Sequence, residues 1–429
     1  MAHPARTGRQ LNAGRLIRPA NREFLIRGLS GAALGMAFAL GAAAVHAMGG
    51  QPLQQKPLER QGAIHAPEAL LFKTLLEIKN NRLDVALREI DQVILAYPNF
   101  RLAHLIKGDL LLARTRPLTT IGNDQNAPQE RLADLREEAV ARLARHQQQR
   151  PVDRVPRYLL QLHPDQKYAF VVDTAKSTLY VFENRSGTPR YIADYYISSG
   201  KNGIDKLREG DKKTPVGVYH VTSRMPREKL ADLYGVGAFP INYPNEWDKR
   251  RGRNGFGIWL HGTPSDTYSR PPRSSDGCVV LTNQDFETIT QNVQIGLTPV
   301  IISKNIEWVD PDATQSLRQE LARNVESWRR DWESRATEKY LAHYAASFTA
   351  GKQNFDGWAQ QKRQVNAGKT WIKVKVDNVS MFLYPGMDNL AVVAFEQHYE
   401  SNNLSNSMRK RQYWIKENSG WKIVYEGAA

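Results

Sequence analysis

The sequence predicts a multidomain protein with a helical N-terminal region, a mostly-β middle domain and an α+β C-terminal domain. Three observations predict this order. Apolar residues recur at helical spacing over residues 66–113, alternate as in strands from about residue 164, and return to helical spacing from Pro311 before a last run of strands. The chain has 429 residues, which exceeds one ordinary core.

Residues 1–47 are typical of a signal peptide. An arginine-bearing start is followed by the apolar, small-residue stretch 28–45, and Val45 and Ala47 fill the two small-residue positions before a cleavage site. An uncleaved membrane anchor is the alternative, because eighteen residues reach the lower limit of a membrane span. We therefore expect export to the periplasm.

The chain is basic, with a formal net charge of +15. A balance of this kind fits an acidic polymer or a membrane surface, and charge alone does not choose between nucleic acid and the anionic bacterial envelope.

Residues 64–148 are expected to form a helical region. Three apolar stripes end near residue 113, and a fourth helix is expected over 128–145. The segment "LAYPNFRLAHLIKGDLLL" resembles the helical hairpin of tetratricopeptide repeats. Because one repeat cannot form a stable solenoid, this hairpin is expected to pack on another part of the chain.

The middle domain is expected over residues 164–303, after a linker at 150–156 that contains two prolines. Its segments "YAFVVDTAKSTLYVF", "YIADYYISSG", "TPVGVYHV" and "TPVIIS" are predicted strands joined by long loops. Residues 315–429 are predicted to form a separate α+β domain, because helices are followed by a run of antiparallel strands.

Cys278 is the only cysteine, and it lies seventeen positions after His261. Free cysteines are often buried and behave as small apolar residues, so the presence of Cys278 and His261 alone does not show that they are catalytic. Export changes this, because oxidising compartments favour paired cysteines and one thiol cannot form an intramolecular disulfide. A thiol with a neighbouring imidazole is a candidate nucleophile and general base, and the amides of Gly277 and Cys278 are candidate donors to an oxyanion.

The middle domain resembles the L,D-transpeptidase catalytic domain, also called the YkuD type. The resemblance covers about 164–303 and rests on five ordered blocks, "ISSGK", "TPVGVY", "INYPNEWD", "GFGIWLHG" and "SSDGCVVL". It implies that Cys278 is the nucleophile, that His261 is the general base and that the carbonyl of Gly262 orients the imidazole. Ser275 and Gly277 also match positions of the family motif, and Ser275 is a candidate substrate-binding residue.

One position departs from the family pattern, which usually has arginine two residues after the cysteine, where this chain has Val280. This departure puts the acceptor step in doubt. The C-terminal segment, about 320–427, resembles a nuclear-transport-factor-type (SnoaL-like) domain. The same pairing of domains resembles the cell-shape L,D-carboxypeptidases of helical bacteria.

Three arginines near the motif are candidate ligands for substrate carboxylates: Arg253, Arg270 and Arg273. Each is also explained as a solvated loop residue. The ten histidines show no metal-ligand spacing and no glycine-rich phosphate loop is present, so we expect no metal and no cofactor.

The leading hypothesis is a periplasmic cysteine acyltransferase that forms a Cys278 thioester with tetrapeptide stems of peptidoglycan and passes the acyl group to an amine. The first alternative uses water instead, as an L,D-carboxypeptidase or a hydrolase of protein-to-peptidoglycan links. The second is a catalytically weak peptidoglycan-binding scaffold. An envelope protein bound through the helical region is a further candidate partner, and nucleic acid is not expected.

Overall fold

The computed structural model describes residues 66–117, 119–124, 126–148, 151–351 and 353–429. They form a helical region, a β-rich middle domain and an α+β C-terminal domain, which confirms the predicted fold class. The predicted signal peptide lies outside the described residues. Among the helices of these ranges, none combines the length and the apolar character needed to cross a bilayer.

The helical region contains the four predicted helices. They are α1 (Ala66–Lys79), α2 (Leu83–Ala96), α3 (Arg101–Leu112) and α4 (Gln129–Gln147). On α2, Ala86, Ile90 and Val93 recur at helical spacing and are fully buried, because one face of the helix packs on its neighbours. The core of this region also includes Tyr268 of the middle domain, so the hairpin does pack on another part of the chain.

The middle domain is built from short strands and two short helices. The strands are β1 (Val155–Pro156), β2 (Leu159–Gln161), β3 (Tyr168–Asp173), β4 (Thr178–Arg185), β5 (Thr188–Tyr196), β6 (Ser199–Gly200), β7 (Gly217–His220), β8 (Met225–Pro226), β9 (Gly237–Pro240), β10 (Trp259–His261), β11 (Arg273–Ser275), β12 (Val279–Val280), β13 (Pro299–Ser303) and β14 (Trp308–Val309). The helices are α5 (Glu246–Arg250) and α6 (Asn283–Thr290).

Two sheets of the middle domain enclose one apolar core. The first has the strand order β5-β4-β3-β13-β7, and the second has the order β12-β10-β9-β8. Side chains from both sheets, including Phe170, Phe239, Leu260 and Val300, share a single cluster. The smaller pair β11-β6 lies beside the second sheet, because Ser198 bridges Val280 of β12.

The C-terminal domain packs a long, mostly antiparallel sheet against three helices, and its one parallel pair among the described strands joins β15 and β20. The helices are α7 (Gln315–Glu333), α8 (Thr337–Leu341) and α9 (Phe355–Ala367), and α9 was not predicted. The strands are β15 (Tyr344–Ala350), β16 (Gln353–Asn354), β17 (Ile372–Tyr384), β18 (Met387–Ser401), β19 (Leu404–Glu417) and β20 (Gly420–Ala428). Trp328, Trp332 and Trp358 are buried between the helices and the sheet.

The segment predicted as a linker is partly a structural element. Val155–Pro156 pairs with β14, and the adjoining strand β2 pairs with β17 at the edge of the C-terminal sheet. The prediction of a linker was wrong here because the partner strands lie more than 150 residues later in the chain, where local sequence gives no signal.

The middle and C-terminal domains meet at a buried ion pair. Arg411 of β19 donates to both carboxylate oxygens of Glu246, at 2.9 and 3.0 Å, and the hydroxyl of Tyr413 donates to the same carboxylate at 3.1 Å. Burial opposes ionisation of Glu246, but the Arg411 guanidinium holds the pKa of this carboxyl below its ordinary value. Glu246 begins α5, so the contact fixes the middle domain at a defined helix end.

Replacing Glu246 with alanine is expected to destabilise this interface. The change leaves the Arg411 guanidinium buried without its carboxylate, which costs about 3 kcal/mol of unfolding free energy. Urea denaturation followed by tryptophan fluorescence measures the effect. Glu228→Ala, at an exposed position, is the control, and equal denaturation midpoints for the two variants would contradict the assignment.

Candidate active site

The parallel pairing of β10 with β12 brings the candidate nucleophile and base together. Leu260 lies opposite Val279, and His261 lies opposite Val280. Cys278 immediately precedes β12, so it lies at the register position of Trp259. Because alternate residues of a strand face the same side, Cys278 and His261 share one face of the strand pair and lie diagonally adjacent on it.

The turn before Cys278 requires a glycine. Gly277 has a φ of 121°, and a Cβ at this position would lie 2.6 Å from the carbonyl oxygen of Lys213. The hydroxyl of Thr214 donates to the Gly277 carbonyl at 3.0 Å and accepts the amide of Gly200 at 2.8 Å. The family blocks around residues 200, 214 and 277 therefore meet at one point beside the thiol.

Ser275 supports the same turn from within. Its hydroxyl donates to the carbonyl of Cys278 at 2.7 Å and accepts the amide of Gly277 at 3.1 Å. The side chain is buried, and its two hydrogen bonds shape the turn. Its contact with substrate stays a prediction. The Gly277 amide already donates to the Ser275 hydroxyl. Of the two amides predicted to bind an oxyanion, the Cys278 amide is therefore the one that remains as a donor.

The imidazole of His261 is oriented by the backbone, as the resemblance implied. Its Nδ1 donates to the carbonyl of Gly262 at 2.7 Å, which leaves Nε2 as the acceptor of the neutral ring. Burial lowers the pKa of His261 to about 4, and the hydrogen bond to Gly262 offsets this in part. The ring is therefore neutral at pH 7 and able to take a proton.

Asn283 braces the carbonyl that orients His261, and sequence reasoning missed it. Its side-chain oxygen accepts the amides of Val236 and Thr263 at 3.2 and 3.1 Å, and its side-chain nitrogen donates to the carbonyl of Thr263 at 3.0 Å. A Cβ on Gly262 would lie 2.1 Å from the same side-chain oxygen, so the contact is close. Asn283 begins α6, and nothing in its local pattern indicates a partner twenty residues earlier.

Tyr234 is a second site residue that the sequence did not indicate. Its ring lies edge-on to the ring of His261 at 5.1 Å and also packs on Trp259 at 4.7 Å. Burial raises the pKa of Tyr234, and the charge of a Cys278 thiolate raises it further. Tyr234 thus forms an aromatic wall next to both members of the pair.

The thiol of Cys278 is partly exposed. Its Sγ donates to the carbonyl of Gly257 at 3.3 Å. Burial raises the pKa of Cys278 to about 11, against the lowering effects of a Trp259 amide and the charge of Arg270. At pH 7 the resting site therefore holds a neutral thiol and a neutral imidazole, and proton transfer must accompany attack.

Of the three candidate arginines, Arg270 is the one whose side chain has no carboxylate partner among the described residues. Its charge lowers the pKa values of both Cys278 and His261. Val280 is buried in β12, so the charge that the family pattern usually has at this position is absent. Arg270, in the loop before Cys278, brings a charge to the site instead.

The other two arginines are already paired. Arg253 is buried and forms ion pairs with Asp205 at 2.5 Å and Asp248 at 3.7 Å. Arg273 forms an ion pair with Glu137 of α4 at 2.6 Å. Folding supplies each of them with a carboxylate that local sequence does not reveal, and their contact with substrate stays a prediction.

Within the described ranges, no cluster of three or more His, Cys, Asp or Glu side chains is arranged to hold a metal ion.

The fold and the Cys278–His261 pair define an L,D-transpeptidase catalytic domain. The model of that domain family matches residues 167–302, and the model of the Cds6 C-terminal NTF2-like domain matches residues 320–427. The chain belongs to the L,D-transpeptidase family, in a form that carries this second domain.

Two solved structures resemble the chain over most of their length. Bd1075 of Bdellovibrio bacteriovorus is 32% identical, with a TM-score of 0.57, and the match covers 65% of this chain and 98% of that chain. The helical cell shape determining protein Pgp2 from Campylobacter jejuni is 26% identical, with a TM-score of 0.55, and the match covers 63% of this chain and 95% of that chain. A comparison with curated protein sequences found no match.

Alkylation of Cys278 by iodoacetamide is expected to report its raised pKa. In the native protein the rate should rise about tenfold per pH unit from pH 7 to pH 10, because only the thiolate reacts. The urea-denatured chain, with an ordinary thiol, should level off near pH 9, and Arg270→Gln should slow the native reaction because it removes a charge that lowers the pKa. A native plateau below pH 8 would instead indicate a preformed thiolate.

Asn283→Ala is expected to lower kcat on tetrapeptide stems by about 10- to 100-fold with little change in KM, because a loosened Gly262 carbonyl no longer fixes the imidazole. Asn283→Asp should restore part of the loss, since a carboxylate still accepts both amides. Asn292→Ala, near the other end of α6, is the control. Equal kcat in all three variants, with unchanged pH profiles, would show that Asn283 does not position His261.

Proposed function

We propose that the protein is a peptidoglycan-trimming enzyme that forms a thioester at Cys278 and releases the terminal D-alanine of a tetrapeptide stem. The observation that supports this proposal is the register of β10 and β12, in which Cys278 and His261 share one face of the strand pair and the Nδ1 of His261 is bonded to the Gly262 carbonyl. Membership of the L,D-transpeptidase family supplies the substrate class.

The first half of the reaction makes the acyl-enzyme. Cys278 Sγ attacks the carbonyl carbon before D-alanine while His261 Nε2 takes the thiol proton. The negative charge on the carbonyl oxygen is stabilised by the Cys278 amide. The C–N bond then breaks, His261 returns the proton to the leaving amine, and D-alanine departs.

The second half resolves the thioester. A water molecule gives a proton to His261 Nε2 and attacks the same carbonyl carbon, the C–S bond breaks, and the proton returns to the Cys278 sulfur. An amine acceptor follows the same steps and gives a new amide instead of a carboxylic acid. The two outcomes share every residue described above.

Water is the acceptor that we propose. The chain pairs an L,D-transpeptidase domain with an NTF2-like domain, and it resembles Pgp2, a helical cell shape determining protein, over 63% of this chain and 95% of that chain. This pairing of domains resembles the cell-shape L,D-carboxypeptidases of helical bacteria, which supports the carboxypeptidase alternative over the amine route that the sequence motif alone put first. The buried Val280, in place of a cation, is consistent with a changed acceptor step.

The amine route remains the second candidate, because family membership supports it directly. We further propose that the protein acts in the periplasm, on the basis of the segment 1–47.

A single assay separates these functions. The full chain is incubated with tetrapeptide muropeptides, with and without an added D-amino acid, and the products are analysed by mass spectrometry. The proposal predicts tripeptide and free D-alanine, whereas crosslinked dimers or exchange of the terminal residue would show that an amine is the acceptor.

The control is Cys278→Ala, which should give neither set of products. Binding of muropeptides without turnover by the wild-type chain would favour the scaffold hypothesis and end the enzymatic one.

A further inference from the structure

The turn between α2 and α3 holds Tyr268, a residue of the middle domain. The ring of Tyr268 lies against the rings of Tyr97 and Phe100, with centroids 4.7 and 4.6 Å apart. The Tyr268 amide donates to the carbonyl of Asn99 at 3.2 Å. Because Tyr268 is only 6% exposed and belongs to the apolar cluster of the helical region, its ring and its amide are both fixed by that region.

The carbonyl of Tyr268 contacts the chain immediately after the candidate base. It accepts the hydroxyl of Thr263 at 3.2 Å, and Thr263 is buried. Thr263 directly follows Gly262, whose carbonyl accepts Nδ1 of His261 at 2.7 Å. A continuous series of contacts therefore leads from the helical region through Tyr268 and Thr263 to the imidazole.

Thr263 is held by two different parts of the protein. Asn283 of α6 bonds to its amide at 3.1 Å and to its carbonyl at 3.0 Å, and Tyr268 accepts its hydroxyl. A buried hydrogen bond is costly to leave unmade, so a displaced Tyr268 carbonyl would pull Thr263 with it or leave the hydroxyl unpaired. Either result loosens the peptide group that orients the imidazole.

Further contacts fix the loop on both sides of Tyr268. Asn99 Nδ2 donates to the carbonyl of Ser265 at 3.0 Å. The hydroxyl of Ser269 donates at 2.6 Å to the carboxylate of Glu138 on α4, which is 1% exposed. The helical region lies outside both ranges that the family models match, so this support comes from beyond the matched domains.

We propose that the helical region orients the His261 imidazole, with Tyr268 as the positioning residue that connects the two. The turn between α2 and α3 fixes the ring and the amide of Tyr268, and the Tyr268 carbonyl fixes Thr263. The inference rests on the proposed function for the role of His261 as the general base. It gives the helical region a part in turnover in addition to its part in the fold.

The first test measures turnover of tetrapeptide stems by the full chain. Tyr268→Ala removes the ring that the helical region holds, and Thr263→Val removes the hydroxyl that bonds to the Tyr268 carbonyl. Each should lower kcat about tenfold with little change in KM, because a base held less precisely reacts more slowly. The double variant should be no slower than the slower single variant, since both changes break one connection. Tyr268→Phe keeps the ring and should restore the parent kcat.

The second test reads the imidazole directly, without substrate, by NMR of the full chain labelled with nitrogen-15 histidine. At pH 7 the parent chain should show one neutral tautomer of His261, with the proton on Nδ1. Tyr268→Ala and Thr263→Val should show both tautomers, because Nδ1 no longer has a fixed acceptor. His261→Gln identifies the signal.

Leu71→Ala is the matched control, because Leu71 is a buried residue of α1 in the same apolar cluster. It should keep the parent kcat and the single tautomer. If Tyr268→Ala does not fold by circular dichroism, Phe100→Leu takes its place and should shift kcat and the tautomer in the same direction. Parent values in both the ring variant and Thr263→Val, or an equal loss in Leu71→Ala, would overturn the inference.

Turnover by the wild-type chain tests the proposed function separately. A single tautomer that the variants lose, without release of D-alanine by the wild-type chain, would end the proposed function and leave the connection through Tyr268. Release of D-alanine at the parent rate by every variant, with an unchanged tautomer, would do the opposite.

Discussion

The catalytic centre depends on the parallel pairing of two very short strands, β10 and β12. This register puts His261 opposite Val280 and brings Cys278 to the same face of the strand pair. The pairing is maintained by apolar burial on the other face, where Leu260 and Val279 are fully enclosed. If the register shifted by one residue, the side chains of the strand would exchange faces and the His261 imidazole would point into the core. The same alternation of side chains therefore specifies both the apolar core and the catalytic site.

Buried polar contacts position the His261 imidazole and the turn that carries Cys278. The Gly262 carbonyl holds the imidazole tautomer, and Asn283 in turn holds Thr263, the residue that follows that carbonyl. On the other strand, Ser275 closes the turn that presents Cys278. Burial raises the pKa of the thiol and lowers that of the imidazole, so the resting pair is neutral. The resting site therefore holds a thiol and not a thiolate, and the proton moves to His261 after substrate has bound.

Both flanking regions contact the middle domain. The helical region holds the loop that carries Arg270, through the buried Glu138 and the Tyr268 ring. The C-terminal domain is fixed to the middle domain by Arg411 and Glu246, and its sheet includes strand β2 from the start of the middle domain. The middle domain has short strands and long loops. Its contacts with the helical region and the C-terminal domain hold these loops in a defined geometry.

The sequence by itself determined the three-part order, the resemblance to the L,D-transpeptidase domain and the candidate pair Cys278 and His261, because periodicity and motif spacing are local properties. Only the tertiary structure decided the rest. It gave Arg253 and Arg273 carboxylate partners, gave the Arg270 side chain none among the described residues, and paired the Gly277 amide with Ser275. It also revealed Asn283 and Tyr234 as neighbours of His261 and joined β2 to a distant sheet. Most of these outcomes depend on which groups meet across long stretches of chain, and a local pattern carries no information about such partners.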